Sequence, residues 1–433
     1  MSMAVSSTKK RIVIRGGRLV DPAQKLDLVT DIYIADGIVL SIGQRPVGFS
    51  DDEIIHAEGA LVIPGAVDLC AHLREPGSET RGTIYSETRA AAAAGITHIV
   101  CTPDTTPVVD SAAIANLIQE RAWQTGYCHV YPIGALTRGL EGQQLSEMYA
   151  LRESGCIGFS QMRMPVRNHR VLLRCLEYAA TFDLTVFFQS VDTGLAGNGC
   201  AHAGPTATRL GLTGIPSAAE TIALSRDLLL VEHTGVRAHF GQLSCARSVE
   251  LIADAQARGL RVTADVAAHQ LFLTDTMMDG FNSVYHVNPP LRTEADRLGL
   301  IEGVRSGIIT AICSDHQPHE AAAKAAPFAA SAPGISAFST YLPLSYDLVR
   351  NGTLSVADWV RRISLHPAQI IGLEAGSVRI GDEANLTVFA PDERWILTDE
   401  TLFSLGANSP WFGTEIEGRV RATLHDGRIS FRL

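Results

Sequence analysis

The sequence predicts an α/β chain: a (β/α)₈ TIM barrel joined to a small β domain built from both chain ends. Three observations lead there. The two ends share a strand-and-turn texture, eight short apolar runs lie between them, and helical patterns separate those runs. At the N-terminal end, RIVIRGGRLVD, DIYIADGIVLSIG and EIIHAEGALVIPG alternate or cluster β-branched residues around Gly and Asp turns. The tail repeats the texture in GSVRIGDEANLTVFA and RVRATLHDGRISFRL. Matching ends assign residues 1–64 and 372–433 to one β domain, with the barrel, 65–371, inserted between them.

The eight strand candidates, in order, are AVDLCAHL, HIVCTPD, HVYPIGAL, CIGFSQ, LTVFFQS, VRAHFGQ, RVTADVAAH and IITAICSD. Helical patterns such as SETRAAAAAG, RVLLRCLEYAATFD and ARSVELIADAQARG fall between them. Strands alternating with helices over about 300 residues suit a barrel with insertions. A doubly wound open sheet is the rival, but the Gly-rich phosphate loop after its first strand is missing. The Ala-rich 320-EAAAKAAPFAASAPG-334 reads as a loop or short helix over the last strand, placed like a lid.

Composition narrows the function classes. The 433 residues carry a net charge of −10 and are 46% hydrophobic, which suits an ordinary soluble protein. No basic patch points to nucleic acid, and no apolar run approaches a membrane span. The opening MSMAVSSTKKRIVIRGG lacks the apolar core of a signal peptide. Eight scattered cysteines with no C-x-x-C pair suggest reduced thiols, several of them buried, and a cytoplasmic compartment.

Barrel enzymes place their chemistry at the C-terminal ends of the strands. Those ends carry Cys70 and His72, Asp104, Gln161, Gln189, Gln242, His269 and Asp315. Three neutral amides stand in a ring where metal chemistry needs charge or imidazole. His239 precedes Gln242 by three, so strand periodicity points the two to opposite faces. His202 and His233 have no ligand spacing and read as surface or capping residues.

The chain resembles the dihydroorotases of the cyclic amidohydrolase group over nearly its whole length. The matching pieces are 65-GAVDLCAHLREPG-77, 101-CTPDTTPVVD-110, 210-LGLTGIPSAAE-220, 288-NPPLR-292, 314-SDHQPH-319 and 409-SPWFGTEIEGRV-420. The resemblance implies a barrel with a small β domain. It also implies histidines at 70, 72, 189 and 242, a metal-binding Asp or carboxylated Lys at 161, and an Asp at 315. Of these six, His72 and Asp315 remain, while Cys70, Gln161, Gln189 and Gln242 replace the rest. Arg74 and Asn288 keep the family's substrate-contact places, and His319 keeps its place in the last motif. Asp104 stands where a neutral Asn would face an anionic substrate.

The substitutions remove the chemistry. Opening or closing a cyclic amide needs hydroxide at neutral pH, and zinc lowers water's pKa from about 15.7 to about 7. That is roughly 12 kcal/mol of protonation free energy. A Gln carbonyl competes poorly with water for zinc. No catalytic residue and no metal are therefore expected, and Cys70, His72, Gln161, Gln189, Gln242, Asp315, Arg74, Asp104, Asn288 and His319 are vestigial. Asp315 is expected to pair with His72, His269 or Arg74. The resemblance implies a non-catalytic subunit that supports assembly of aspartate carbamoyltransferase in pyrimidine biosynthesis. It also implies binding to that enzyme's catalytic chain and homo-oligomerisation. One alternative is an active one-metal cyclic amidohydrolase, of dihydroorotase or hydantoinase type, with zinc on Cys70, His72 and Asp315. A third reading is a regulator that binds a pyrimidine intermediate through Arg74.

Overall fold

The computed structural model describes residues 10–433. Residues 1–9, which open the stretch lacking a signal-type core, lie outside the described residues.

All eight apolar runs form strands of one parallel sheet. They are Ala66–Ala71, Ile96–Cys101, His129–Ala135, Gly158–Ser160, Thr185–Phe188, Arg237–Phe240, Val262–Ala267 and Ala311–Cys313. Each pairs with the next in sequence. A parallel bridge between Ala71 and His316 closes the last strand onto the first. Parallel strands covered on both faces become near-continuous apolar runs, which is why ITHIVC and TVFF do not alternate with charge. Val67, Leu69, Val100, Ile133 and Phe187 fill the barrel interior.

The surrounding helices are amphipathic and capped. Asn168 accepts a hydrogen bond from the Arg170 N–H at 3.0 Å and starts the helix His169–Thr181. Leu172, Cys175, Leu176 and Ala179 recur at helical spacing on its buried face. Thr83 and Ser86 form a capping box for the helix Ile84–Ala93.

Strands from the two chain ends form a separate eight-stranded sheet. Leu386–Ile396 joins the N-terminal strand Leu61–Pro64 antiparallel, so both ends share one ladder. Ile14, Leu19, Ile32, Val388 and Leu424 are among its fully buried core residues.

Three local expectations are refined. The 320–334 segment forms the short helix Ala321–Ala325 and a turn at Phe328–Ala330. Lys324 anchors it, its ammonium donating to the carbonyls of Ser283 and His286 at 3.1 Å each. His202 is buried rather than at the surface, since Arg292 meets its Nδ1 at 3.1 Å; His233 is exposed as expected. All eight cysteines are free and buried. Among the described residues, no helix is long and apolar enough to cross a membrane.

Candidate functional site

Four non-glycine residues just past barrel strands adopt left-handed backbone: Arg74 (φ 67°), Met162 (φ 51°), Gln242 (φ 50°) and Asp315 (φ 48°). Such conformations cost about 1–3 kcal/mol each and persist only where the surroundings fix them. They turn the side chains that follow the strands over the barrel mouth, and the turn at Met162 delivers Arg163 there.

Cys70, His72 and Asp315 do come together, with one donor atom from each within 4.8 Å of the others. The Cys70 thiol lies 3.7 Å from Asp315 Oδ1, and Gln317 donates to that oxygen at 3.0 Å. The Arg163 guanidinium lies 3.9 Å from Asp315 Oδ2 and 3.4 Å from Gln242 Oε1. Gln189 Nε2 donates to Gln242 Oε1 and sits 3.9 Å from the Cys70 sulfur. Gln242 Nε2 points at the Cys313 sulfur, 3.9 Å away. Burial, and then the Asp315 charge, push the Cys70 thiol far up, so it is a neutral S–H at pH 7.

The pairing expected of Asp315 is corrected. His72 Nδ1 meets Thr102 at 3.1 Å and Asp104 at 3.5 Å, while Arg74 donates to the Pro318 carbonyl at 3.1 Å and approaches His319 at 3.2 Å. Both ring nitrogens of His269 lack a hydrogen-bond partner, and burial holds this imidazole at about 4. The cation facing Asp315 is Arg163, which the strand-end ring does not include. Asp104, the charge expected to repel an anion, has its own partners. Burial raises its carboxyl, but His72, Thr102 and Arg74 outweigh that and keep it ionised.

Gln161 leaves the ring altogether. It accepts from Thr137 at 2.9 Å and donates to the Leu140 carbonyl at 2.7 Å, fully engaged with the loop after the third strand. Gln189 is not satisfied, because its Oε1 is buried without a hydrogen-bond partner. Asn288 lines a cavity of about 170 Å³ together with Arg163, Gln189, Gln242 and Arg292.

Below this ring lies a second polar layer. Asp265 binds His239 Nε2 at 2.9 Å and the Gln242 N–H at 2.6 Å. His239 reaches this carboxylate with its ring, Gln242 only with its backbone N–H; the Gln242 side chain turns instead to Gln189 and Cys313, so the two side chains have different partners. The strand ends at Phe240, and Gln242 follows in a left-handed turn. Asp68 takes the Ser314 N–H at 2.8 Å and hydroxyl at 2.5 Å, and burial pushes its carboxyl up to about 7. At the rim, His316 meets Glu87 at 2.8 Å with both side chains fully buried. Ser404 and the Leu405 N–H complete the Glu87 shell, and Asn408 caps the His319 N–H at 2.8 Å, tying the tail onto the mouth.

This barrel, with its strand-end ring and its two-ended sheet, has the amidohydrolase architecture. The Dihydro-orotase-like family model matches residues 59–248, and the Amidohydrolase family model matches 169–430. A "Dihydroorotase-like protein" of Pseudomonas aeruginosa is 53% identical, over 97% of this chain and 99% of its own length. A "Dihydroorotase-like protein" of Pseudomonas putida is 50% identical over 96% and 98%. A "Dihydroorotase" of Trichlorobacter lovleyi is 39% identical over 97% and 99%. In fold, the chain is similar to the L-hydantoinase of Arthrobacter aurescens, with TM-score 0.86 and 23% identity over 97% of this chain and 96% of that one. The chain belongs to the amidohydrolase family and, within it, to the dihydroorotase-like proteins.

The family-type metal pair does not fit these residues. Gln161 is committed elsewhere, Gln189 and Gln242 are spent on each other, and a guanidinium lies against Asp315. Neutral amide donors hold divalent zinc weakly, and a fixed positive charge at the rim repels it.

Proposed function

We propose that this chain is a catalytically inactive dihydroorotase-like subunit whose barrel serves assembly rather than turnover. One observation carries the reading: Arg163, a cation built into the chain, faces Asp315 across the mouth, while Gln189 and Gln242 close on each other beside it. A side chain that balances the retained carboxylate does what a metal would do electrostatically, yet it cannot generate hydroxide. The fold has no need of the metal, because the barrel interior and the helix shell supply its burial. The outer surface thus keeps a binding role after the mouth has lost its chemistry.

The partner in this reading is the catalytic chain of aspartate carbamoyltransferase, with pairing between copies of this chain as the second contact. The support is the family resemblance and a match of 53% and 50% identity, over nearly the full length, to two relatives named dihydroorotase-like. Co-expression of a tagged chain with that catalytic chain, followed by light scattering, tests it. A stoichiometric complex is expected, with carbamoyltransferase activity that falls when this chain is withdrawn. Two separate species of unchanged activity would refute the assembly role.

A second reading has a specific observation behind it. The Cys70, His72 and Asp315 donors lie within 4.8 Å of one another, and His72 Nε2 is buried without a partner. Three donors plus water make a catalytic zinc count. Dihydroorotate or hydantoin turnover abolished by Cys70→Ala would establish this one-metal amidohydrolase. Against it stand the Arg163 charge and the protonated Cys70 thiol.

A further inference from the structure

A second cluster of ligand side chains lies at the opposite end of the barrel. We infer that His129, His425 and Asp426 form a binding site for a divalent transition-metal ion, with zinc as the type case. His129 opens the third barrel strand, at the end remote from the mouth. His425 closes the strand Glu415–His425, and Asp426 begins the turn to Arg428–Arg432. Asp426 (φ 49°) and Gly427 (φ 71°) are both left-handed, as a two-residue Asp-Gly hairpin turn requires. A Cβ on Gly427 would lie 2.2 Å from the Gly37 Cα, so the turn is wedged against the neighbouring loop.

The donor geometry suits a small ion. One atom from each of the three residues lies within 4.8 Å of the others. His129 Nε2 is 2.9 Å from Asp426 Oδ1, and His425 Nε2 is 3.6 Å from Asp426 Oδ2. Zinc bonds of about 2.0–2.2 Å in a tetrahedron place neighbouring donor atoms roughly 3.3 Å apart, so small side-chain rotations suffice.

The surroundings prepare the donors. His425 Nε2 is buried without a hydrogen-bond partner. A ring nitrogen without a protein partner is free to offer its lone pair to a metal ion. Asn385 donates to Asp426 Oδ1 at 3.4 Å and orients the carboxylate. His129 and Asp426 remain 32% and 28% exposed, which leaves a path for the ion. Two imidazoles and one carboxylate favour zinc, nickel or copper over magnesium or calcium. A bound ion would clip the C-terminal hairpin to the barrel. This site is independent of how the mouth is read.

The test uses the full chain, stripped with chelator and titrated with Zn²⁺ at neutral pH. One ion per chain is expected at this cluster, with affinity lowered at least about tenfold by His425→Gln and by Asp426→Asn. Cys70→Ser should leave that ion in place. Co²⁺ bound here should show d–d absorption without a thiolate charge-transfer band. Circular dichroism of the metal-free variants separates a lost ligand from a lost fold. The site is refuted by a wild-type chain that takes up no zinc, by uptake that neither folded tail variant reduces, or by uptake that only Cys70→Ser removes.

Discussion

At the scale of single residues, the deciding group is Arg163. It follows Gln161 by two, past the end of the fourth strand, where an arginine reads as a solvated loop residue. Only the left-handed turn at Met162 brings it over the mouth, and no sequence pattern announces such a turn at methionine. The convergence of Cys70, His72 and Asp315 was legible, because each sits at a strand end and strand ends meet in a barrel. The orientation of Gln161 was not, since its partners Thr137 and Leu140 belong to a loop whose path depends on tertiary packing. Arg163 also sets a condition on any repair. Changing Cys70, Gln189 and Gln242 to His and Gln161 to Asp should yield little zinc binding at the mouth while Arg163 stays. Adding Arg163→Ala should raise zinc affinity there by at least about tenfold, about 1.4 kcal/mol. Zinc titrations in a background carrying both His425→Gln and Asp426→Asn, which weaken the proposed tail site, measure the difference. Equal affinity with and without Arg163 would show that its charge is not what blocks the ion.

At the scale of elements, period and burial explain what the sequence revealed. The eight barrel strands stand out because two-sided burial concentrates apolar residues, and the helices stand out by their apolar stripes. Leu176 illustrates the energetics. It is fully buried on the inward face of the helix His169–Thr181, beside Leu172 and Ala179. Leu176→Ala should destabilise the chain by about 2–5 kcal/mol, from lost burial plus the cavity left behind. Urea unfolding measures this, and a change below about 0.5 kcal/mol would mean that the helix packs differently. The strand carrying His239 stops at Phe240. Beyond it, the His239 ring binds Asp265 below the mouth, while the Gln242 side chain joins Gln189 and Arg163 at the mouth.

At the scale of the whole molecule, the buried histidines dictate the response to acid. Burial holds His98 and His319 at about 3, and His269, His286 and His425 at about 4. In the unfolded chain each titrates near 6.5. Below that value the unfolded state binds more protons than the folded one, so stability falls as pH falls. Asp68, raised to about 7, works in the opposite direction, as do the carboxyls of Asp227 and Asp347, which burial also raises; against them stand these five rings together with His202, His316 and His366, which burial lowers. The unfolding free energy should drop by at least about 2–3 kcal/mol between pH 7 and pH 5. Urea midpoints at pH 7, 6 and 5 check this, and a flat profile would mean that these rings are solvated. Acid lability is thus distributed across the fold, from the mouth (His269, His319) to His425 in the tail cluster and His98, whose ring lies 5.0 Å from that of His129.

The proposed assembly role rests on a chemically silent mouth, and turnover measures that silence most directly. The purified chain, supplied with zinc, should neither hydrolyse dihydroorotate nor cyclise carbamoyl aspartate above the rate in buffer alone. Turnover that requires zinc and is lost with Cys70→Ala would contradict the account.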